Sequence, residues 1–321
     1  MDLRTRNISL DQMSELHDFI VRRKLAYQPF IFSDDLETGE GYNFINRGAG
    51  GNIHWKTADP RVKDLVTDDP ESFRRENAAL RAIYDDFVGQ IASRVGVAGL
   101  RFAEIGCNTG YFLYALALKG ARRCIGYDFT SNSLVFSWFN KVLGTRCEFH
   151  FSEWDSFQHR LRYASLPQVD VTLSVAVTCH LVDPIHHLTY LCERAAKAVF
   201  FWCPVSDQDA LSLTYGPPAK YPNALDWPVG FDNDVRISIP LLRLTLAQCG
   251  FEDIHEIQPP EGLPDKWKKW HRLHRGYIAL RTARVKTAYS GGRIRRRLPG
   301  DAMFPRVHAW LSRVLGVKGR R

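Results

Sequence analysis

Short apolar runs alternate with amphipathic segments between residues 70 and 282. A short apolar run predicts a buried strand, whereas apolar residues that recur every three or four positions predict a helix. Strands that alternate with helices in this way favour a parallel, doubly wound α/β sheet. The predicted strands are 100–105, 123–128, 147–151, 169–175, 198–203, 251–257 and 275–281, and the predicted helices between them are 110–119, 131–143, 155–163, 185–196 and 238–249.

The segment before this alternation has helix signals of its own. Ser9 followed three residues later by Gln12 is a capping-box pattern, and apolar residues follow it at helical spacing. Further along, Asp69 suits the N-cap of a longer helix and Pro70 suits its first position. Residues 25–60 alternate aromatic residues with Gly, Asn and Asp, which predicts a loop-rich segment that packs over the domain and borders a substrate cleft.

One stretch combines a strand, a glycine turn and a helix, as nucleotide-binding α/β units do: Arg101–Tyr111, Arg-Phe-Ala-Glu-Ile-Gly-Cys-Asn-Thr-Gly-Tyr. Gly106 and Gly110 allow a sharp turn and a close approach of the backbone to a ligand. The next apolar run ends in Asp128, 18 residues beyond Gly110, about where such units place a carboxylate for ribose hydroxyls. A dinucleotide site needs a third glycine, so NAD is the less favoured cofactor.

The order of an acidic residue, two glycines and a strand-end aspartate resembles motifs I and II of the class I S-adenosylmethionine-dependent methyltransferases. The resemblance implies that Glu104, Gly106 and Gly110 line the methionine side of the cofactor and that Asp128 holds its ribose. Asn108 stands where many members have a middle glycine, but Asn tolerates positive φ, so the loop is expected to keep its shape. The implied fold is a Rossmann-like, doubly wound seven-stranded sheet with an antiparallel last strand, an N-terminal helical cap and a basic C-terminal extension.

The residues just after each strand complete the expected cofactor site, because ligands of open α/β sheets bind beyond the carboxyl ends of the strands. Phe129 either covers an edge of the adenine or simply packs. One residue of 153–155 is expected to face the adenine amino group, although Asp155 could instead cap the next helix. The expected cofactor contacts are Glu104, Gly106, Cys107, Asn108, Gly110, Asp128, Phe129, Glu153, Trp154, Asp155 and Ser174.

His180 follows the fourth strand of the pattern, and that strand resembles the one that exits under the transferable methyl group in class I methyltransferases. His180 is therefore the candidate catalytic base, and the alternative is a structural histidine in the turn. The strand exit and the glycine loop look most like the branch that includes the tRNA wobble-uridine (5-oxyacetate) methyltransferases. This likeness covers roughly residues 70–200, and it implies the fold and the cofactor class but not a tRNA substrate.

The composition, with 45% hydrophobic and 24% charged residues, is ordinary for a soluble globular protein. No run is long enough for a membrane span and the first residues lack an apolar signal core, so a cytoplasmic location is expected. The seven cysteines are scattered and never form C-x-x-C, which favours reduced thiols. No Cys–His combination has zinc-finger spacing, so no metal site is predicted.

The net charge of +8 is concentrated at the C-terminal end. Residues 281–321 contain twelve Lys and Arg against one acidic residue, a net +11 that leaves the first 280 residues at −3. Apolar residues recur at helical spacing between Phe304 and Leu315, which predicts a basic amphipathic helix. Such a helix has three possible roles: it packs on the body of the chain, it lies on an anionic membrane surface, or it attracts nucleic acid. The second role would make the protein a peripheral membrane protein.

The acceptor of the methyl group is less defined than the cofactor. The presumed cleft walls, 25–60 and 204–237, are aromatic and nearly uncharged, which favours a small molecule over tRNA. The alternatives are a tRNA-modifying methyltransferase, an NAD-dependent enzyme and a non-catalytic Rossmann-like binding protein. The predicted domains are an N-terminal cap (1–69), a methyltransferase domain (70–282) and a basic tail (283–321).

Overall fold

The structure is a computed structural model that describes residues 1–22, 25, 27–39, 53–55, 60–63, 65–155, 160–162, 166–181, 183–215, 235–265, 267–268 and 273–282. All of these lie within one unit, Met1–Arg284, and Val285–Arg321 form a second unit. The predicted basic helix and residues 216–234 of the predicted substrate wall lie outside the described residues. The domain boundaries at residues 69 and 282 stay a prediction.

From Arg101 onward the described chain mostly alternates strands and helices, as the apolar pattern predicts. The helices are α1 (Leu10–Val21), α2 (Pro70–Val95), α3 (Tyr111–Leu118), α4 (Ser133–Leu143), α5 (Pro184–Arg194) and α6 (Ile239–Gln248). The strands are β1 (Phe30–Ser33), β2 (Leu36–Thr38), β3 (Ile53–Trp55), β4 (Arg101–Ile105), β5 (Arg123–Asp128), β6 (Glu148–Phe151), β7 (Glu153–Asp155), β8 (Arg160–Arg162), β9 (Val169–Val175), β10 (Ala195–Ser206), β11 (Leu213–Tyr215), β12 (Val235–Ser238), β13 (Asp253–Ile257) and β14 (His274–Leu280).

The central sheet has the strand order β11-β12-β10-β9-β4-β5-β6, and β14 pairs with both β10 and β13. Strands β6, β5, β4, β9 and β10 are parallel to their neighbours, whereas β14 is antiparallel to β10. The predicted α/β fold with an antiparallel last strand is therefore confirmed. The sheet has nine strands within the described residues instead of seven, because β11 and β12 extend it beyond β10.

The chain order of the sheet reverses at β4. From β4 the chain proceeds to β5 on one side, and it later returns to place β9 on the other side of β4. Such a switch point leaves a crevice beyond the carboxyl ends of the two central strands, where open α/β sheets bind ligands. The fold therefore directs attention to the turns that follow β4, β5 and β9.

Helices cover both faces of the sheet. Buried residues of α1, α2, α3 and α4 form one apolar core with one face of the strands, and buried residues of α5 and α6 form a second core with the other face. The first core is rich in aromatic rings, among them Phe30, Tyr111 and Phe139. The N-terminal segment therefore shares a core with the sheet.

Both predicted helix starts before the sheet are confirmed. Ser9 accepts a hydrogen bond from the Gln12 amide (3.2 Å), and the Gln12 side chain accepts one from the Ser9 amide (2.8 Å), so the capping box is complete. The carboxylate of Asp69 accepts from the Ser72 amide (3.0 Å) and Pro70 is the first residue of α2. In addition, the Trp138 indole donates to the Gln12 carbonyl (2.8 Å), which fastens α4 to α1.

Two sequence-based predictions are wrong. The helix predicted at 155–163 is replaced by the strands β7 and β8, which pair antiparallel. Their register sets Glu153 opposite Arg162, and local spacing along the sequence does not encode such a register. The segment 25–60 is also not simply loop-rich, because β1, β2 and β3 form a three-stranded sheet within it.

Candidate functional site

The turn between β4 and α3 contains three residues in the left-handed backbone conformation, which few residue types adopt readily. Gly106 (φ 73°) and Gly110 (φ 91°) lie in the left-handed region, and Asn108 (φ 50°) does so as well, as the sequence predicts for a loop that keeps its shape. The amides of Gly106 and Cys107 donate to the Tyr127 carbonyl at 2.8 and 3.1 Å. These bonds fold the turn back over the end of β5.

The space around both glycines is closed to larger residues. A Cβ on Gly106 would collide with the Val177 side chain, which comes from the turn after β9. A Cβ on Gly110 would lie 2.7 Å from the Phe136 ring of α4. The exits of β4 and β9 are therefore in direct contact. Because Gly110 is the N-cap of α3, the amino end of that helix opens at the same edge of the sheet.

Asp128 ends β5 and is almost fully buried, with 5% of its surface exposed. One carboxylate oxygen accepts from the Asn108 amide and the other accepts from the Thr130 amide, both at 2.8 Å. Burial raises its pKa, and these backbone donors oppose that shift. Each oxygen retains a further lone pair. Asp128 therefore ties the two turns together and has acceptor capacity left for a ligand.

Glu104 lies on β4 next to Gly126 of β5 and is 1% exposed. Its Oε2 has no hydrogen-bond partner among the described residues. Burial raises the pKa of this carboxyl well above its usual range, and the charge of Asp128 raises it further. The protonated form is therefore favoured in the folded chain, and a neutral carboxyl offers both a donor and an acceptor.

Asn132 is a site residue that the sequence analysis missed. It is the N-cap residue of α4, and its side-chain amide donates to the Asn108 carbonyl at 2.8 Å. Its Oδ1 is buried and has no partner within the described chain. The signal was present, because Asn is a common N-cap and the predicted helix begins at 131. Asn132 thus supports the loop and presents an unsatisfied acceptor.

Gln28 is the second missed residue, and it comes from outside the predicted methyltransferase domain. Its side chain, 6% exposed, donates to the Cys107 carbonyl (3.3 Å) and accepts from the Thr109 hydroxyl (2.7 Å) and the Tyr111 amide (3.0 Å). No local sequence pattern around residue 28 predicts contacts with a turn about 80 positions later in the chain. Only the tertiary structure reveals them.

Phe129 and residues 153–155 follow strands at the edge of the sheet where Asp128 lies, whereas the Ser174 side chain points into the core. Phe129 follows Asp128 and is 56% exposed, as an open apolar surface for a ligand ring would be. β7 begins just after Ser152, whose amide donates to the Asp128 carbonyl (2.8 Å), and the side chains of Glu153, Trp154 and Asp155 lie outside the described part. Ser174 is buried with its hydroxyl 2.9 Å from Nε2 of His187 on α5, so the side chain faces the core.

His180 ends a short 3-10 helix, Thr178–His180, that follows β9. Its amide donates to the Val177 carbonyl (2.9 Å), and its residue surface is exposed. The turn starts with a positive φ at Ala176 (55°), which re-aims the chain across the end of the sheet. By contrast, burial lowers the pKa of His187 to about 3, so that histidine stays neutral and structural.

The described residues contain neither a metal-ligand cluster nor a membrane-spanning helix, and their cysteines form no disulfide. No group of three or more His, Cys, Asp or Glu suited to a metal occurs among them. All seven cysteines are free thiols, and six of them are buried. Within the described part, no helix combines the length and apolar character that a membrane crossing needs.

Comparison with known proteins agrees with the motifs. No protein-family model matches the chain. Two proteins named tRNA U34 carboxymethyltransferase, from Pseudomonas fluorescens strains Pf-5 and SBW25, are 28% identical over 170 residues and 27% identical over 173 residues. Each alignment covers 51% of this chain and 49% of the relative, so the chain spans about half the length of the curated relatives it matches. The resemblance inferred from the motifs is therefore confirmed, at low identity.

Two solved structures that contain SAM or SAH resemble this chain in fold. Magnesium protoporphyrin IX methyltransferase from Synechocystis, with bound SAM, is 13% identical with a TM-score of 0.46, over 86% of this chain and 100% of that one. The N-terminal domain of EvdMO1, with SAH bound, is 13% identical with a TM-score of 0.48, over 84% of this chain and 97% of that one. At these TM-scores neither structure supports an argument about function.

Proposed function

We propose that this chain is a class I S-adenosylmethionine-dependent methyltransferase. The observation that carries the proposal is the crevice at the switch point of the sheet, where the left-handed turn from Gly106 to Gly110 meets the carboxylate of Asp128. A glycine turn, a helix amino end and a strand-end carboxylate are the parts that an adenosyl cofactor needs. NAD is less well served, because the turn has two glycines instead of three.

The chemical groups of the crevice residues suit the parts of S-adenosylmethionine. Asp128 has free lone pairs for the ribose hydroxyls, and Phe129 presents an exposed ring beside it for the adenine. Glu104 and Asn132 each hold a buried oxygen that has no partner among the described residues, as expected of a site that awaits donors. The bound cofactor would supply an electrophilic methyl group on a sulfonium centre. We assign Asp128 to ribose binding and the loop from Gly106 to Gly110 to the methionine part.

The remaining contribution of the protein is positioning of the acceptor. Holding an O, N or C nucleophile in line with the methyl group supplies most of the rate acceleration through orientation and exclusion of water. His180 lies on the turn after β9, next to the strand exit that contacts Gly106. We assign it the role of general base for acceptors that must lose a proton.

A tRNA uridine is a second candidate for the acceptor, in place of the small molecule that the uncharged cleft walls favour. The names of the Pseudomonas relatives support tRNA, although the alignment covers only about half of each protein. The small-molecule hypothesis has no such support. Residues 40–52 and 216–234 of the two segments predicted to line the cleft lie outside the described residues.

The test is transfer of isotope-labelled methyl from S-adenosylmethionine by the purified full-length chain. Two acceptor pools are offered separately, namely bulk tRNA and a small-metabolite extract, each taken from a strain that lacks the gene. Label in tRNA nucleosides or in a metabolite, lost with Asp128→Ala, supports the proposal, and mass spectrometry of the product identifies the methylated acceptor. A chain that binds NAD and ignores S-adenosylmethionine would overturn it.

A further inference from the structure

The amino end of α3 lacks the side chain that normally caps a helix. Its N-cap is Gly110, which makes no side-chain cap hydrogen bond. The first amides of a helix have no partner within the helix, and a buried amide without an acceptor is costly. The Tyr111 amide is the first of these, and Tyr111 is fully buried. Some other group must accept its hydrogen bond.

That group is Gln28, located 83 residues earlier in the chain. Its Oε1 accepts from the Tyr111 amide at 3.0 Å and from the Thr109 hydroxyl at 2.7 Å, while its Nε2 donates to the Cys107 carbonyl at 3.3 Å. The orientation of the amide is fixed by its partners. A flipped side chain would set Nε2 against the Tyr111 N–H and Oε1 against the Cys107 oxygen, and both contacts would be repulsive.

We infer that Gln28 is a positioning residue for the cofactor loop. This inference rests on the proposed function, because it concerns the same turn from Gly106 to Gly110. Gln28 clasps the turn on both sides of its left-handed residue Asn108, since it binds Cys107 before that residue and Thr109 after it. The glycines adopt positive φ readily, whereas Asn108 does so at a cost that its surroundings must offset. Gln28 shares that constraint with Asp128 and Asn132, which bind the Asn108 amide and carbonyl.

The clasp also explains why the N-terminal segment belongs to the site. The Gln28 carbonyl accepts from the Phe30 amide (3.0 Å) and from the Thr38 hydroxyl (2.9 Å), which anchor the residue to β1 and β2. The three-stranded sheet is thus the support on which the clasp is mounted. Because Gln28 is buried, it acts on the cofactor through the loop and not by direct contact.

The experiment compares Gln28→Leu, which removes all three side-chain bonds, with Thr172→Val as a matched control. Thr172 is fully buried on β9 and its hydroxyl donates to the Leu191 carbonyl, so the control loses a buried hydrogen bond that involves neither the loop nor Gln28. Hydrogen exchange of the peptide around Tyr111 is measured in the protein without cofactor. Binding of S-adenosylhomocysteine is measured by calorimetry, and thermal unfolding corrects both variants for stability.

Gln28→Leu is expected to speed exchange at the Tyr111 amide and to weaken S-adenosylhomocysteine binding by about tenfold or more. Thr172→Val is expected to lower the unfolding temperature and leave the affinity unchanged. Gln28→Glu, the second variant, keeps both acceptor contacts but sets a second carboxyl oxygen against the Cys107 carbonyl, where only the protonated form can donate. It should therefore restore protection at Tyr111 and part of the affinity, and more of both as the pH falls.

Two results would overturn the inference. One is an affinity of Gln28→Leu within twofold of wild type, and the other is an equal loss of affinity in Thr172→Val, which would make a general loss of stability the cause. If the wild-type protein does not bind S-adenosylhomocysteine, the proposed function fails. Exchange at Tyr111 then still decides the clasp, because unchanged exchange in Gln28→Leu refutes it and faster exchange supports it.

Discussion

Replacement of Asp128 by Ala should separate the two jobs that the structure gives this carboxylate. It accepts from the Asn108 and Thr130 amides, both at 2.8 Å, and we propose that it also accepts from the cofactor ribose. Thr130 is exposed, so water replaces the carboxylate there, whereas Asn108 is half-buried. We expect a loss of about 1–3 kcal/mol in the free energy of unfolding, from the partly buried amide left without an acceptor.

The loss of cofactor affinity comes in addition to this loss of stability. Charge-assisted hydrogen bonds to two ribose hydroxyls make the expected weakening about 1.5–3 kcal/mol or more, which corresponds to roughly 10-fold to 150-fold in Kd. Calorimetry with S-adenosylmethionine or S-adenosylhomocysteine measures it directly. Measurement well below the unfolding temperature of the variant keeps the population of folded protein constant.

Asp170→Ala is the matched control. Asp170 also accepts a backbone amide and a side-chain donor, both from Arg101 (2.9 and 3.0 Å), but it lies at the amino end of β9. It should therefore lower stability without changing cofactor affinity. If Asp128→Ala binds the cofactor within threefold of wild type, the cofactor does not sit at the end of β5 and the site is misplaced.

Three further outcomes are expected. His180→Ala should lower turnover roughly 10²-fold to 10⁴-fold at unchanged cofactor affinity, whereas His186→Ala should not, and retained activity would leave His180 without a role as base. Since the folded chain holds the Glu104 pKa well above its usual value, the wild type loses stability as pH rises above that usual value, and Glu104→Gln should gain unfolding temperature relative to wild type over the same range. Glu148, whose pKa is lowered by Arg123, should show the opposite sign on substitution by Gln, so equal pH profiles would refute the assignment. Removal of the chain after Tyr289 should reduce co-sedimentation with anionic liposomes at low salt, and a full-length chain that never sediments would exclude the membrane hypothesis.

The periodic pattern of the sequence carries most of the fold. The strands that it predicts are all present. Among them β4, β5, β9 and β10 are recognisable because a buried parallel strand is a nearly continuous apolar run. The pattern fails at 155–163, where a short segment with charged residues fits a helix and a hairpin equally well. The pairing of Glu153 with Arg162 is a property of the register, which local spacing does not encode.

The residues of the candidate site also divide into those that the sequence predicts and those that only the structure reveals. Glu104, Asn108 and Asp128 are predicted from the sequence, because a turn needs particular residue types and a strand end is visible in the pattern, and the structure brings them to one edge of the sheet. Their role in cofactor binding stays a prediction, as does that of Ser174. The sequence does not say which helix layer the Ser174 side of β9 faces, and its hydroxyl lies beside His187 in the core. Gln28 is missed because its partners are defined only by tertiary contact.

The distance along the chain between Gln28 and Tyr111 has a kinetic consequence. A contact that spans 83 residues closes a long loop, and such non-local contacts form slowly because the entropy of closure is lost before the contact repays it. Pairing of β4 with β9 also joins distant parts of the chain. We therefore expect the glycine turn to reach its final shape only when the N-terminal segment has closed onto the sheet.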